Sequence, residues 1–498
     1  MTFFTKNLHE TIIQYFIGSC FCQHMYHVSD LKKYLKCPRR YLLERDDNSF
    51  VPYLRIDASL SELLLNYFGV DSYLAGQVGD DNDVFLKNID NYVWFTGIRL
   101  NKDGLRVKLP LLEKRADGAI IYFPLYSVGF REPDLLNFKA CLDLLESYLP
   151  VKKIVAVYIN GDYVYRGSLD IASLLTMTDA YQGEDLLTLT RAYELDYYAL
   201  MKEIDERVDY SARKCRACHA WGLCRHFYDC FPQYQQIPDN SILTLVSSSQ
   251  KNELYEQGVL SLEDYADHAD LSNRVQYAQI MAAKKGGLYY DALCLKDFLS
   301  NLKERPLIFL DFEWDTYLIP KYEGLKPLDV VCFEYAMYIL RQDGSLKHHC
   351  YIGDGDCREA FICSLLKDLP EDGKIVAYNA KGAEVRRLKE LAEQFPAYRQ
   401  QLLDVAERFV DLAVVFIEGV VYHTGMRGNF SLKNLVDLVS GYSYKDLEIS
   451  DGMEAVLSYR NIENALAKER QEILQDLEQY CSLDAYGLYL VYQWLLKL

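Results

Sequence analysis

Pro306-Leu307-Ile308-Phe309-Leu310-Asp311-Phe312-Glu313-Trp314 decides how this chain is read. A run of large apolar residues ends in two carboxylates separated by one residue. On a β-strand, residues i and i+2 point to the same face, so Asp311 and Glu313 project together into one site. Two carboxylates held a few ångströms apart repel each other, and a divalent cation is a common way to keep both ionised. A solvated strand end is the plain alternative, so the rest of the chain has to decide.

From Pro306 onward strands and helices alternate. Val330–Tyr338 reads as a second strand and Lys374–Tyr378 as a short buried one. A helix is expected over Ala383–Phe395, another short strand at Phe409–Leu412, and a long final helix from about Ile462 to Leu495. The pattern predicts an α/β domain around a mixed sheet. Within it, Asn379 ends a strand and Glu384 opens the next helix. Tyr480 and Asp484 are four residues apart on the last helix and so share a face.

The 498 residues suit about three domains. The boundaries predicted are 25–232, a helical connector over 233–303, and 304–498. A net charge of −18 excludes a protein coated in nucleic acid by bulk electrostatics, though local basic patches still bind phosphate. The chain has no run of 18 apolar residues, and no signal peptide is read at its start, so no membrane span is expected. Fourteen cysteines without a secretion signal point to a reducing cytoplasm.

Most of those cysteines are scattered. Cys37 stands in Cys37-Pro38-Arg39-Arg40-Tyr41, and Cys215-Arg216-Ala217-Cys218 is followed by Cys224. Four thiolates can surround an iron–sulfur cluster or a zinc ion. This spacing resembles the iron–sulfur staple of RecB-type PD-(D/E)XK nucleases. The resemblance implies a [4Fe-4S] cluster on Cys37, Cys215, Cys218 and Cys224, with zinc as the alternative. That family's catalytic strands correspond to Leu105–Pro110 and Gly118–Val128. They lack its acid and E-x-K, so the expectation is a RecB-like fold that has lost its catalysis.

The carboxy-terminal motifs resemble the DEDD exonuclease superfamily on a ribonuclease H-like fold, the group of DnaQ-type proofreading domains and RNase D. Asp311 and Glu313 match its D-x-E, Asn379 and Glu384 its second motif, and Tyr480 with Asp484 its Y-x3-D. The resemblance implies two Mg²⁺ or Mn²⁺ ions held by Asp311, Glu313, Glu384 and Asp484, with Tyr480 orienting the attacking water. The second motif departs from the superfamily: its usual acid position is Ala383, and Glu384 comes one residue later. Asp411 is read as structural.

Nearly the whole chain from Met25 is similar to a bacterial family in which a RecB-like module precedes a DEDD-type domain. The segments carrying this are Ile319-Pro320-Lys321-Tyr322-Glu323-Gly324-Leu325-Lys326-Pro327 and Gly428-Asn429-Phe430-Ser431-Leu432-Lys433. The expected activity is metal-dependent 3′→5′ hydrolysis at single-stranded nucleic-acid ends, with Asn379, Arg427 and Lys433 as candidate substrate contacts. The competing expectation is a nucleic-acid-binding scaffold built from two inactive nuclease folds.

Overall fold

The computed structural model describes residues 25–44, 59–206, 224, 226–230, 232–266, 272–444 and 447–498. They fall into two compact units, one within 1–50, 56–163 and 168–214, the other within 51–55, 164–167 and 215–498. Both are mixed α/β.

The first unit is built on one twisted sheet. Its strands are β1 (Tyr26–His27), β2 (Tyr73–Ala75), β3 (Trp94–Lys102), β4 (Leu105–Arg115), β5 (Gly118–Leu125), β6 (Val151–Ile159) and β7 (Leu175–Thr178). The order is β2-β3-β4-β5-β6-β7, with β1 pairing to β4. A small hairpin of β8 (Ala180–Tyr181) and β9 (Glu184–Asp185) follows. Helix α1 (Val28–Lys36) stops at Cys37 because Pro38 cannot continue it, and a six-residue helix restarts at the proline. Leu31 and Tyr34 of α1 join a core with Phe138 and Leu142 of α2 (Leu135–Leu145). After β6 ends at Ile159 the chain runs to Leu175 before β7 returns to pair antiparallel with β6.

The second unit holds the connector and the carboxy-terminal domain together. Helix α3 (Arg274–Lys284) buries Gln279, whose amide donates to the Thr244 carbonyl and the Tyr422 hydroxyl at 3.0 Å each. Strand β10 (Leu288–Tyr290) pairs with β16 (Val421–His423). The central sheet comprises β11 (Leu307–Thr316), β12 (Val330–Leu340), β13 (Leu346–Ile352), β14 (Lys374–Ala377) and β15 (Phe409–Asp411), in the order β13-β12-β11-β14-β15. The β11–β12 and β12–β13 pairs are antiparallel, and the β11–β14 and β14–β15 pairs parallel.

Strand β11 is apolar on both faces because both are covered. Ile308, Leu310 and Phe312 pack with α4 (Arg358–Asp368), α5 (Glu384–Gln394) and α6 (Arg399–Ala406). Leu307 and Phe309 face the other core, formed with α7 (Leu432–Ser440), α8 (Gly452–Asn461) and α9 (Ala467–Leu495). Asp311 and Glu313 continue that second face, beneath α9.

Candidate active site

Three carboxylates converge. Asp311 and Glu313 on β11 and Asp484 on α9 each bring an oxygen within 4.8 Å of the others. Glu313 and Asp484 are buried, and Asp311 is partly so. Among the described residues no other group of three histidine, cysteine or acidic side chains converges in this way. Alternation along β11 puts the first two acids on one face, and a bulge after Glu313 turns the strand, so Trp314 pairs with Cys332. The next acid, Asp315, is committed elsewhere: Arg460 grips it with two hydrogen bonds of 2.6 and 3.0 Å, fixing α8 to β11.

The electrostatics of the group are those of a site short of positive charge. Burial pushes the Asp311 carboxyl well above its usual range, and repulsion from Asp484, Glu313 and Glu384 adds to it. Glu313 is raised by burial, then by Asp484 and Glu334, against a lowering pull from Lys433. For Asp484, burial again dominates, opposed by the Tyr444 hydrogen bond, Lys433 and Tyr480. A cation among these oxygens would reverse the repulsion.

Lys433 and two tyrosines frame Asp484. The Tyr444 hydroxyl donates to Asp484 Oδ1 at 2.7 Å. The Lys433 ammonium lies 4.8 Å from the Tyr480 ring centre and 5.2 Å from that of Tyr444, and donates to the Ser450 carbonyl at 2.5 Å. Gly487 permits this closeness: a Cβ there would sit 2.6 Å from Val436 Cγ2, so any other residue would displace that side chain or α7 itself. Beside Lys433 and Tyr444 a polar cleft of about 700 Å³ opens, lined also by Asn429, Ser431 and Ser450. Gly452, at the start of α8, leaves room next to Glu313 and the Tyr480 hydroxyl.

Glu384 begins α5 and is 2 % exposed, and its Oε2 has no hydrogen-bond partner. Burial pushes its carboxyl up to about 8; its own backbone hydrogen bond and Arg387 oppose the rise, while Asp411 and Asp484 add to it. It lies close enough to raise Asp311 but stands outside the three-carboxylate group.

The remaining candidates divide by what they touch. Asn379 takes a left-handed backbone (φ 57°) that turns the chain from β14 toward α5, and its N–H donates to Asp411 Oδ1 at 2.9 Å. Asp411 also accepts from the Ala413 N–H at 3.0 Å. Arg427 donates to the Ile237 carbonyl at 2.9 Å and stands 3.6 Å from Asp239, facing the connector. Cys37 is buried at a helix junction, where its sulfur accepts from the Arg40 N–H at 3.4 Å, and Cys224 is half-buried. Cys215 and Cys218 lie outside the described residues, so the proposed cluster rests on the sequence. In the first unit, Glu113 on β4 is engaged by Arg115 at 2.9 Å and by the Tyr122 hydroxyl at 2.9 Å.

Three residues beside the acids were not singled out from the sequence: Tyr444, Cys481 and Glu334. The Cys481 thiol lies 3.6 Å from Asp311 Oδ2. Glu334 is fully buried opposite Glu313 in the β11–β12 register, and neither carboxylate oxygen has a hydrogen-bond partner. A lone acid inside Val330-Val331-Cys332-Phe333-Glu334-Tyr335 was the available signal for it. Nothing in the sequence marks Tyr444.

Residues 308–431 match the model of a family described as a domain of unknown function, DUF2779. No curated protein and no solved structure matches the chain. The matched stretch contains Asp311, Glu313 and Glu384 and stops before Lys433, Tyr480 and Asp484.

Proposed function

We propose that the second unit is a metal-dependent 3′→5′ exonuclease of the DEDDy type on a ribonuclease H-like fold, acting on single-stranded nucleic-acid ends. The observation that carries the reading is the convergence of Asp311, Glu313 and Asp484 within 4.8 Å. The strand order β13-β12-β11-β14-β15, with its antiparallel and parallel halves, supports the fold assignment.

The residues present fit divalent cations. They offer hard oxygen ligands, mutual repulsion that a cation relieves, and in Glu384 a buried carboxylate oxygen without a partner. Asp311, Glu313 and Asp484 would hold Mg²⁺ or Mn²⁺, with Glu384 beside a second ion. Bound there, such ions polarise a phosphoryl oxygen and acidify water. Tyr444 fixes the orientation of Asp484 through its hydroxyl. Tyr480, one helical turn before Asp484, offers its hydroxyl to orient the attacking water. Lys433 supplies positive charge where a phosphate would arrive, between two aromatic rings that hold it in place.

The stretch read from the sequence as RecB-like, residues 25–232 with Cys37, Cys215, Cys218 and Cys224, is proposed to guide substrate and to carry a [4Fe-4S] cluster or zinc. The test of the main reading is degradation of a 5′-labelled single strand in Mg²⁺ or Mn²⁺. Wild type should yield a ladder shortening from the 3′ end, and Asp311→Asn and Asp484→Asn should each abolish it. Equal degradation by wild type and both variants refutes the assignment. Glu384 standing outside the trio favours a second reading, a nucleic-acid-binding protein without turnover. Tight binding with no products in either metal would establish that one.

A further inference from the structure

A second charged cavity lies at the other end of the sheet. About 480 Å³ in volume, it is lined by Arg305, Arg341, Lys347, His349, Lys367 and Asp368, among others. Four of these are permanent cations, in a chain whose net charge is −18. The cavity sits where β11 begins and β12 ends, whereas the carboxylates project from the middle of β11. Its apolar contributors, Ile339 and Leu369, belong to the core on the α4 face, and the carboxylates belong to the α9 face. It is therefore separate from the candidate active site.

The cations differ in how far they are already used. Arg305 is committed: its guanidinium donates to the Leu302 carbonyl at 2.8 Å and to the Tyr492 hydroxyl at 3.0 Å. Arg341, in the β12–β13 turn, Lys347, on edge strand β13, and Lys367, in the last turn of α4, enter no ion pair among the described residues. Asp343, exposed in the same turn, feels the charge of Arg341. The acid inside the cavity, Asp368, accepts at Oδ2 from the Tyr335 hydroxyl at 2.8 Å and lies 3.4 Å from His349 Nδ1, so one carboxylate stands against four cations. Three side chains from three elements thus bring positive charge, held in no ion pair among the described residues, to one concavity. Such an arrangement attracts an anion with several phosphates more strongly than a single charge would.

We infer that this cavity binds consecutive backbone phosphates of a single-stranded nucleic acid, as a second contact remote from the carboxylates. The inference extends the reading of the second unit as a nucleic-acid enzyme, but it concerns binding alone and does not require turnover. Phosphate contacts of this kind carry affinity and position the strand without reading its sequence.

The test is fluorescence anisotropy with a labelled 20-nucleotide single strand in EDTA, where metal-dependent cleavage is absent. The triple variant Arg341→Glu, Lys347→Glu, Lys367→Glu should bind at least tenfold more weakly than wild type. The slope of log K against log salt should fall by about 2, from roughly 0.7 for each of three lost phosphate contacts on a single strand. The milder Arg341→Gln, Lys347→Gln, Lys367→Gln variant should fall between the two, and circular dichroism should report the same fold for all three proteins. Unchanged affinity and salt slope in the reversed variant overturn the inference. So does inorganic pyrophosphate binding as tightly as the oligonucleotide, which would assign the cavity to a small phosphate compound. The readout is binding in EDTA with no turnover, so failure here and failure of the catalytic reading are separately visible.

Discussion

Glu334→Gln should make the metal-free protein more stable, by a margin that grows as pH rises from about 4.5 to about 8. Glu334 is fully buried on β12 with no partner for either oxygen, and burial raises its carboxyl from 4.5 to about 8, with Glu478 and Asp484 adding repulsion. The folded state therefore holds a proton that the unfolded state has already lost between those two values. Stability from this group is fully present below pH 4.5 and is lost as pH rises to about 8. At about 1.36 kcal/mol per tenfold change in proton affinity, the full cost of ionising Glu334 is about 5 kcal/mol. Glutamine keeps the shape and cannot ionise. In EDTA the variant should melt on the order of 10 °C above wild type at pH 8.5, with little difference at pH 4.5, as followed by circular dichroism. An equal offset at both pH values, or a wild type more stable than the variant at pH 8.5, would refute the reasoning.

Other perturbations probe the neighbouring geometry. Tyr444→Phe removes the hydroxyl that orients Asp484, so Mn²⁺ affinity measured by calorimetry should fall about 10-fold; unchanged affinity would deny Tyr444 that role. Asp315→Asn removes the buried charge that pairs with half-buried Arg460 and should destabilise the fold by about 3 kcal/mol in denaturant titration. Gly487→Ala displaces the Val436 side chain or α7 itself and should cost about 1–3 kcal/mol, read in the same titration. Mn²⁺ at about 100 times its dissociation constant should stabilise wild type by about 2.7 kcal/mol, and Asp311→Asn should lose most of that gain.

Much of the second unit was legible because its signals are local. Period-two alternation placed Asp311 and Glu313 on one face. The i, i+4 rule placed Tyr480 and Asp484 on one side of a helix. The apolar runs marked β11, β12 and β14 to within a few residues. What escaped is tertiary. Tyr444 reaches Asp484 across 40 residues, and its neighbourhood has no repeat or motif. Glu334 matters only because β12 pairs in a register that sets it against Glu313. Strand β13, with its exposed polar residues at the sheet edge, lacked the apolar signature by which the other strands were found. The pairing of Arg427 with Asp239 depends on the connector folding against the carboxy-terminal domain, which composition does not disclose. The four-cysteine staple stays a matter of spacing, since two of its residues lie outside the described structure.

The most direct test of the central claim is anomalous diffraction from crystals soaked in Mn²⁺. The account predicts a peak in contact with Asp311, Glu313 and Asp484, and a second within about 4 Å of it on the Glu384 side. Mn²⁺ bound elsewhere on the protein, with no peak among those three carboxylates, would contradict it.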